Sequence, residues 1–190
     1  DLDELEDKSG KNHSSVIINF EIKGDNKTAH FLSGGDAEVV CWEGVRDRLT
    51  NKYSMSWLDY DILQAPHHCS WHSLSHDSLS KKGDDAKTSE KAMEVFNRAK
   101  EKAFIISSSK TIENDEKDPP AYRAKEEYEK IVDDVQGQFL CVSDHKKNGE
   151  NIPLEIEISD NGIKKIAASA LGMAESSSAA VNRQGGGGYA

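Results

Sequence analysis

Two short motifs constrain this chain most: Ser33-Gly34-Gly35-Asp36 and Ala65-Pro66-His67-His68-Cys69-Ser70. Each follows an apolar run that reads as a buried strand, Ala29-His30-Phe31-Leu32 before the first and Tyr60-Asp61-Ile62-Leu63 before the second. A carboxylate and an imidazole pair at the ends of neighbouring strands suit a metal ion. Asp oxygen and neutral His nitrogen both ligate zinc, manganese or iron, and strand ends hold such groups stiffly. Two ligands do not complete a site, so the remaining ones must come from elsewhere.

The rest of the chain alternates. Val16, Ile18, Phe20 and Ile22 have strand period, and Gly24-Asp25-Asn26-Lys27 reads as a turn into a partner strand over residues 28–32. Residues 37–50 read as a helix with Val39, Trp42, Val45 and Leu49 near one face. A strand over 59–63 leads into the His-rich loop. Thr88 or Ser89 caps a helix carrying Ala92, Val95, Phe96 and Ala99. A strand over 103–107, a charged loop over 109–120, a helix over 121–135 and strands over 138–142, 152–158 and 163–166 follow. Interleaving of this kind implies a layered α/β domain. Residues 1–11 are acidic and polar, and 168–190 are rich in Ser, Gly and Ala. The first reads as a linker or frayed end, the second as a disordered tail containing Gly185 to Gly188.

The ordered motifs resemble the second half of a metallo-β-lactamase-fold hydrolase of the ComEC-type branch. Asn12-His13-Ser14-Ser15 precedes an apolar strand, then come Gly35-Asp36 and Pro66-His67-His68-Cys69-Ser70, then Phe104-Ile105-Ile106-Ser107, then Asn114 four residues before Asp118-Pro119. The branch has Gly where this chain has Cys69, and His where it has Asp118. Its N-terminal His-x-His-x-Asp-His ligand motif is absent. The resemblance implies that residues 12–167 form the C-terminal half of an αββα sandwich. A missing N-terminal half, or a second chain, would complete the domain.

The resemblance further implies a metal-dependent hydrolase acting on a phosphodiester, with nucleic acid as one candidate substrate. One or two zinc ions, or manganese or iron, would lower the pKa of water toward ~7 and present hydroxide to the substrate. Asp36 and His67 would be the catalytic ligands, with His68 either a third ligand or a partner to the ligand shell. Ser107, Lys110, Asn114 and Asp118 fall on the substrate rim. The competing reading is a partial, non-catalytic domain acting as a protein-interaction module.

Plainer roles exist for most of these residues. Asp36 is a favoured helix N-cap type. His72 and His76 lie four apart, a metal-binding spacing on a helix but a solvated pair in a loop. Cys69 is either a reactive thiolate or a small packed side chain, and packing is the simpler account. No Gly-x-Ser-x-Gly elbow surrounds Ser107, which argues against a serine nucleophile.

Composition narrows the function classes. With 34 acidic against 24 basic residues the net charge is −10, which disfavours a broad nucleic-acid surface but not a local basic groove. Cys41, Cys69 and Cys141 are odd in number and widely spaced, unlike a disulfide framework or a zinc knuckle. No apolar run approaches the ~20 residues of a membrane helix. The expectation is a soluble cytoplasmic chain.

Overall fold

The computed structural model describes residues 11–24, 26–115 and 117–166. The acidic start over 1–10 and the Gly-rich tail over 168–190 therefore lie outside the described residues.

Five strands form one mixed sheet: β1 (Ile18–Lys23), β2 (Thr28–Ser33), β3 (Tyr60–Gln64), β4 (Ala99–Ser107) and β5 (Gln138–Cys141). Their spatial order is the chain order, with β1 antiparallel to β2 and the remaining pairs parallel. Parallel neighbours need crossovers, and helices supply them. α1 (Val39–Asn51) joins β2 to β3, α2 (Leu79–Lys82) and α3 (Glu90–Phe96) lie between β3 and β4, and α4 (Tyr122–Asp134) joins β4 to β5. Right-handed crossovers that advance one strand at a time place successive helices on one face. The α/β class expected from the sequence is the class observed.

The core lies between that helix layer and the sheet. Leu32, Leu63 and Ile105 point into it and meet Trp42, Ala92, Val95, Phe96 and Tyr128, all fully buried. An aromatic run crosses the layer: Trp42 to Phe96 at 4.8 Å, Phe96 edge-on to Tyr128 at 5.6 Å, and Tyr128 stacked on Phe139 at 6.4 Å. Such pairs add roughly 0.5–1.5 kcal/mol each beyond area burial. The alternate residues Phe20, Phe31, Ile62 and Phe104 stand in register across the opposite face. Ile62 and Phe104 are buried there, whereas Val16, Ile18, Phe20 and Ile22 are 39–70% exposed. The apolar row thus opens to solvent at the edge strand β1.

Two small hairpins complete the described chain. β6 (Lys146–Lys147) pairs with β7 (Glu150–Asn151), and β8 (Ile156–Ser159) with β9 (Gly162–Lys165). The second is tied to the β1–β2 turn through Asn26, whose backbone and side-chain N–H groups donate to the Asp160 carboxylate at 3.1 and 2.9 Å.

The structure refines several expected boundaries. β4 begins at Ala99, four residues earlier than its apolar run, because Lys100 lies along the sheet and pairs with Asp61 at 2.9 Å. The strand expected over 152–158 starts only at Ile156, beyond Pro153, which has no N–H to donate. Among the described residues no helix is long and apolar enough to cross a membrane.

Candidate functional site

Because β2 through β5 run parallel, the loops that leave them all emerge at one edge of the sheet. Ligand sites of open α/β sheets form at this carboxyl edge. Asp36 follows β2, His67 and His68 follow β3, Ser108 to Asp118 follow β4, and Ser143 follows β5.

The glycines before Asp36 have distinct causes. A Cβ on Gly34 would lie 2.4 Å from the Trp42 ring, so only glycine lets the loop cross that side chain. Gly35 has φ +53°, the left-handed region open to glycine at little cost. The turn delivers Asp36 to the surface, where its carboxylate is exposed and has no hydrogen-bond or ion-pair partner among the described residues. Asp36 does not cap α1. The N-cap is Glu38, whose carboxylate instead meets His13 at 3.2 Å.

The second loop is more strained. His67, His68 and Cys69 have φ of 48°, 56° and 68°, three successive non-glycine residues in left-handed backbone. Each costs roughly 1–2 kcal/mol in that region. The turn closes through the Cys69 and Ser70 N–H groups, which donate to the Pro66 carbonyl. Cys69 is wholly buried in the core, and burial pushes its thiol well above the usual range, with Asp118 adding to the effect. A neutral, enclosed thiol packs and does not attack.

Hydrogen bonds stitch the loops together. The His67 N–H donates to the Gly35 carbonyl at 2.9 Å, next to Asp36. The His68 Nδ1 meets the Ser108 carbonyl at 2.8 Å. A carbonyl only accepts, so Nδ1 carries the proton and Nε2 of the neutral ring keeps its lone pair. The Nδ1 of His67 is buried and has no hydrogen-bond partner among the described residues. Leaving such an atom unpaired costs about 1–3 kcal/mol. Ser143 Oγ donates to the Ser109 carbonyl at 2.6 Å, joining the loops after β4 and β5.

The expected rim residues separate. Ser107 is fully buried and its hydroxyl donates to Ser109 Oγ at 2.8 Å. Lys110 lines a cleft of about 280 Å³ with Lys146 and Asn151. Asn114 is exposed on a different cleft, beside Tyr122 and Arg123. Asp118 accepts from the Trp71 N–H at 3.1 Å and has the His72 ring at 3.9 Å, which places it against the His-rich loop. His72 and His76 do not share a helix face. His76 instead meets Glu43 at 3.1 Å.

Asp36, His67 and His68 are suitable ligand types on linked loops, but they do not make a centre by themselves. Among the described residues no three His, Cys, Asp or Glu side chains are grouped so as to hold a metal ion. All three cysteines are free thiols. No motif in the sequence pointed to Ser143, Lys146 or Asn151. The available signal was Asn148-Gly149, a pair that favours a tight hairpin turn and here has φ of 54° and 87°.

No family model, curated protein or solved structure matches this chain.

Proposed function

We propose that this chain is part of a metallo-β-lactamase-like hydrolase of phosphodiesters, with its active edge at the carboxyl ends of β2 to β4. The observation that carries this reading is the juxtaposition of Asp36 and His67. A partnerless carboxylate follows one strand, and an imidazole with a buried, unpartnered Nδ1 follows the next. Their loops are joined by the His67 N–H to Gly35 bond. Three consecutive strained residues hold the second loop, and strain of this kind clusters at functional sites. Zinc, manganese or iron would need further ligands from outside the described residues, supplied by a preceding half-domain or a second chain. The choice of phosphodiester rests on the motif resemblance.

A specific observation favours a second reading, an interaction module. Ile18, Phe20 and Ile22 on the edge strand β1, with Val16 just before it, expose an apolar row, which marks a surface awaiting a partner.

Hydrolysis of bis-p-nitrophenyl phosphate by the full chain at millimolar Mn²⁺ tests the first reading. A high metal concentration raises the occupancy of a site that is short of ligands. Slow turnover is expected, abolished by chelator and by Asp36→Ala. Turnover that survives chelation, or is equal in wild type and Asp36→Ala, overturns the assignment. No turnover places the interaction module first.

A further inference from the structure

We infer that the cleft between the loops after β4 and β5 is an anion subsite, in which Lys110 and Lys146 hold a phosphate group of the substrate. The proposal deepens the hydrolase reading and rests on it for the word substrate. The binding itself stands on separate residues.

The cleft is pre-formed. Ser107 and Cys141 are in register at the ends of β4 and β5, so the two loops leave side by side. The Cys141 thiol points to the Lys110 carbonyl at 3.3 Å, and Ser143 Oγ holds the Ser109 carbonyl at 2.6 Å. Thr111 Oγ1 donates to the Asp144 carboxylate at 2.7 Å, a third tie between the loops. Lys146 faces Asn151 across the β6–β7 hairpin, so both project from one small rigid unit.

Charge then decides what the cleft accepts. Its acidic wall residues are Glu113 and Asp115, and Asp115 is engaged by Lys117 through an ion pair. Neither Lys110 nor Lys146 has an ion-pair partner among the described residues, and both are exposed. Lys110 acts on the Asp115 carboxylate only through space, and with Lys117 and Lys146 it sets three ammonium groups against two carboxylates along the cleft. In a chain of net charge −10, that excess is local and directional. Lysine ammonium groups suit phosphate as point charges, and Asn151 adds an amide donor.

Position links the cleft to the candidate site. The Ser108 carbonyl accepts from His68, and Lys110 is two residues further along the same loop. An anion held on the loop after β4 lies one strand over from the His67 loop and two from the Asp36 loop, at the same sheet edge. On the hydrolase reading, the group it would take is a phosphate of a nucleotide flanking the scissile ester.

The test uses the full chain in the presence of chelator, so metal and turnover play no part. Inorganic phosphate, a 5′-mononucleotide and a single-stranded oligonucleotide are titrated while backbone amide resonances are followed by NMR. Shifts should concentrate at Lys110, Thr111, Lys146 and Asn151. The double variant Lys110→Gln/Lys146→Gln should bind roughly tenfold or more weakly, as loss of charge-assisted contacts predicts. Equal saturation by phosphate and mononucleotide identifies a site for one phosphate. Tighter oligonucleotide binding, with a log–log salt slope that falls by about 0.7 per lost contact, identifies a strand. Cooperative melting of the double variant confirms its fold, and the single variants serve if it does not melt cooperatively. Shifts spread over the surface, or unchanged affinity in the folded variants, overturn the subsite. Saturable binding here without any metal-dependent hydrolysis would leave the subsite standing and remove the hydrolase.

Discussion

The His68 ring donates its Nδ1–H to the backbone carbonyl of Ser108 at 2.8 Å, across the gap between the loops that leave β3 and β4. This one bond fixes the ring's tautomer, orients Nε2 and joins the histidine loop to the loop that carries Lys110. Imidazoles that serve ligand shells are commonly held this way, with the second nitrogen anchored to a carbonyl or carboxylate.

At a pH where the ring is neutral, His68 should be the Nδ1–H tautomer. Long-range ¹H–¹⁵N correlation of the imidazole distinguishes the two forms. A pyrrole-type Nδ1 and a pyridine-type Nε2 are expected. The opposite assignment would break the link between the loops.

Gly34→Ala should destabilise the fold by about 1–3 kcal/mol, as overpacking does. Its new methyl would overlap the Trp42 ring, and the Asp36 turn would have to move. Gly35→Ala meets open space and carries only a left-handed backbone cost of roughly 1 kcal/mol. Thermal melts of the two variants should rank them in that order. An unchanged melting temperature for Gly34→Ala would refute the packing account.

A polar clamp holds α1 to the loop before α3. Ser89 Oγ donates to Glu43 Oε1 at 2.6 Å, and His76 meets the same oxygen at 3.1 Å. Burial pushes the Glu43 carboxyl up, but the hydrogen bonds from Ser89 and His76 outweigh it and hold it below the usual carboxylate range. A depressed folded value means that the stabilisation is complete above the unfolded value of about 4.3 and is lost as pH falls through the folded value. Glu43→Gln should therefore lower the melting temperature near pH 6 and have little effect at pH values below the folded pKa. A difference that persists unchanged in acid would contradict the assignment.

Ile18, Phe20 and Ile22 of β1, with Val16 just before it, expose apolar side chains on a strand whose outer edge is unpaired among the described residues. The chain should therefore self-associate or bind a partner through β1. Analytical ultracentrifugation should show concentration-dependent mass for the wild type. Ile18→Lys/Phe20→Lys should shift the chain toward monomer without loss of the cooperative melt. A wild type that stays monomeric at all concentrations would remove this surface as a self-association site.

The strands with clear apolar runs were legible in the sequence, as were the helices with apolar faces. Leu63, Ile105, Trp42 and Phe96 are buried where periodicity places them. The charged start of β4 was not legible, because Lys100 owes its place in the sheet to a distant partner, Asp61. The β6–β7 hairpin has no apolar residue, so hydrophobic period gave no sign of it and only Asn148-Gly149 marked the turn. At the site, spacing placed Asp36 and the His pair on adjacent loops. It gave no view of the left-handed backbone at His67 to Cys69, because glycine-like conformations at non-glycine residues depend on surrounding packing. Nor did it reveal the Ser108 carbonyl that orients His68, since backbone acceptors leave no trace in residue type.

On the proposed function, the Asp36 and His67 loops form a ligand edge of the sheet. Paramagnetic broadening by trace Mn²⁺ in ¹H–¹⁵N spectra of the full chain tests it most directly, because broadening detects binding too weak for other methods. Weak binding is expected, with signals of Asp36, His67, His68 and Ser108 lost first and spared in Asp36→Asn. Broadening centred elsewhere, such as at Glu43 and His76, or equal in wild type and Asp36→Asn, would contradict it.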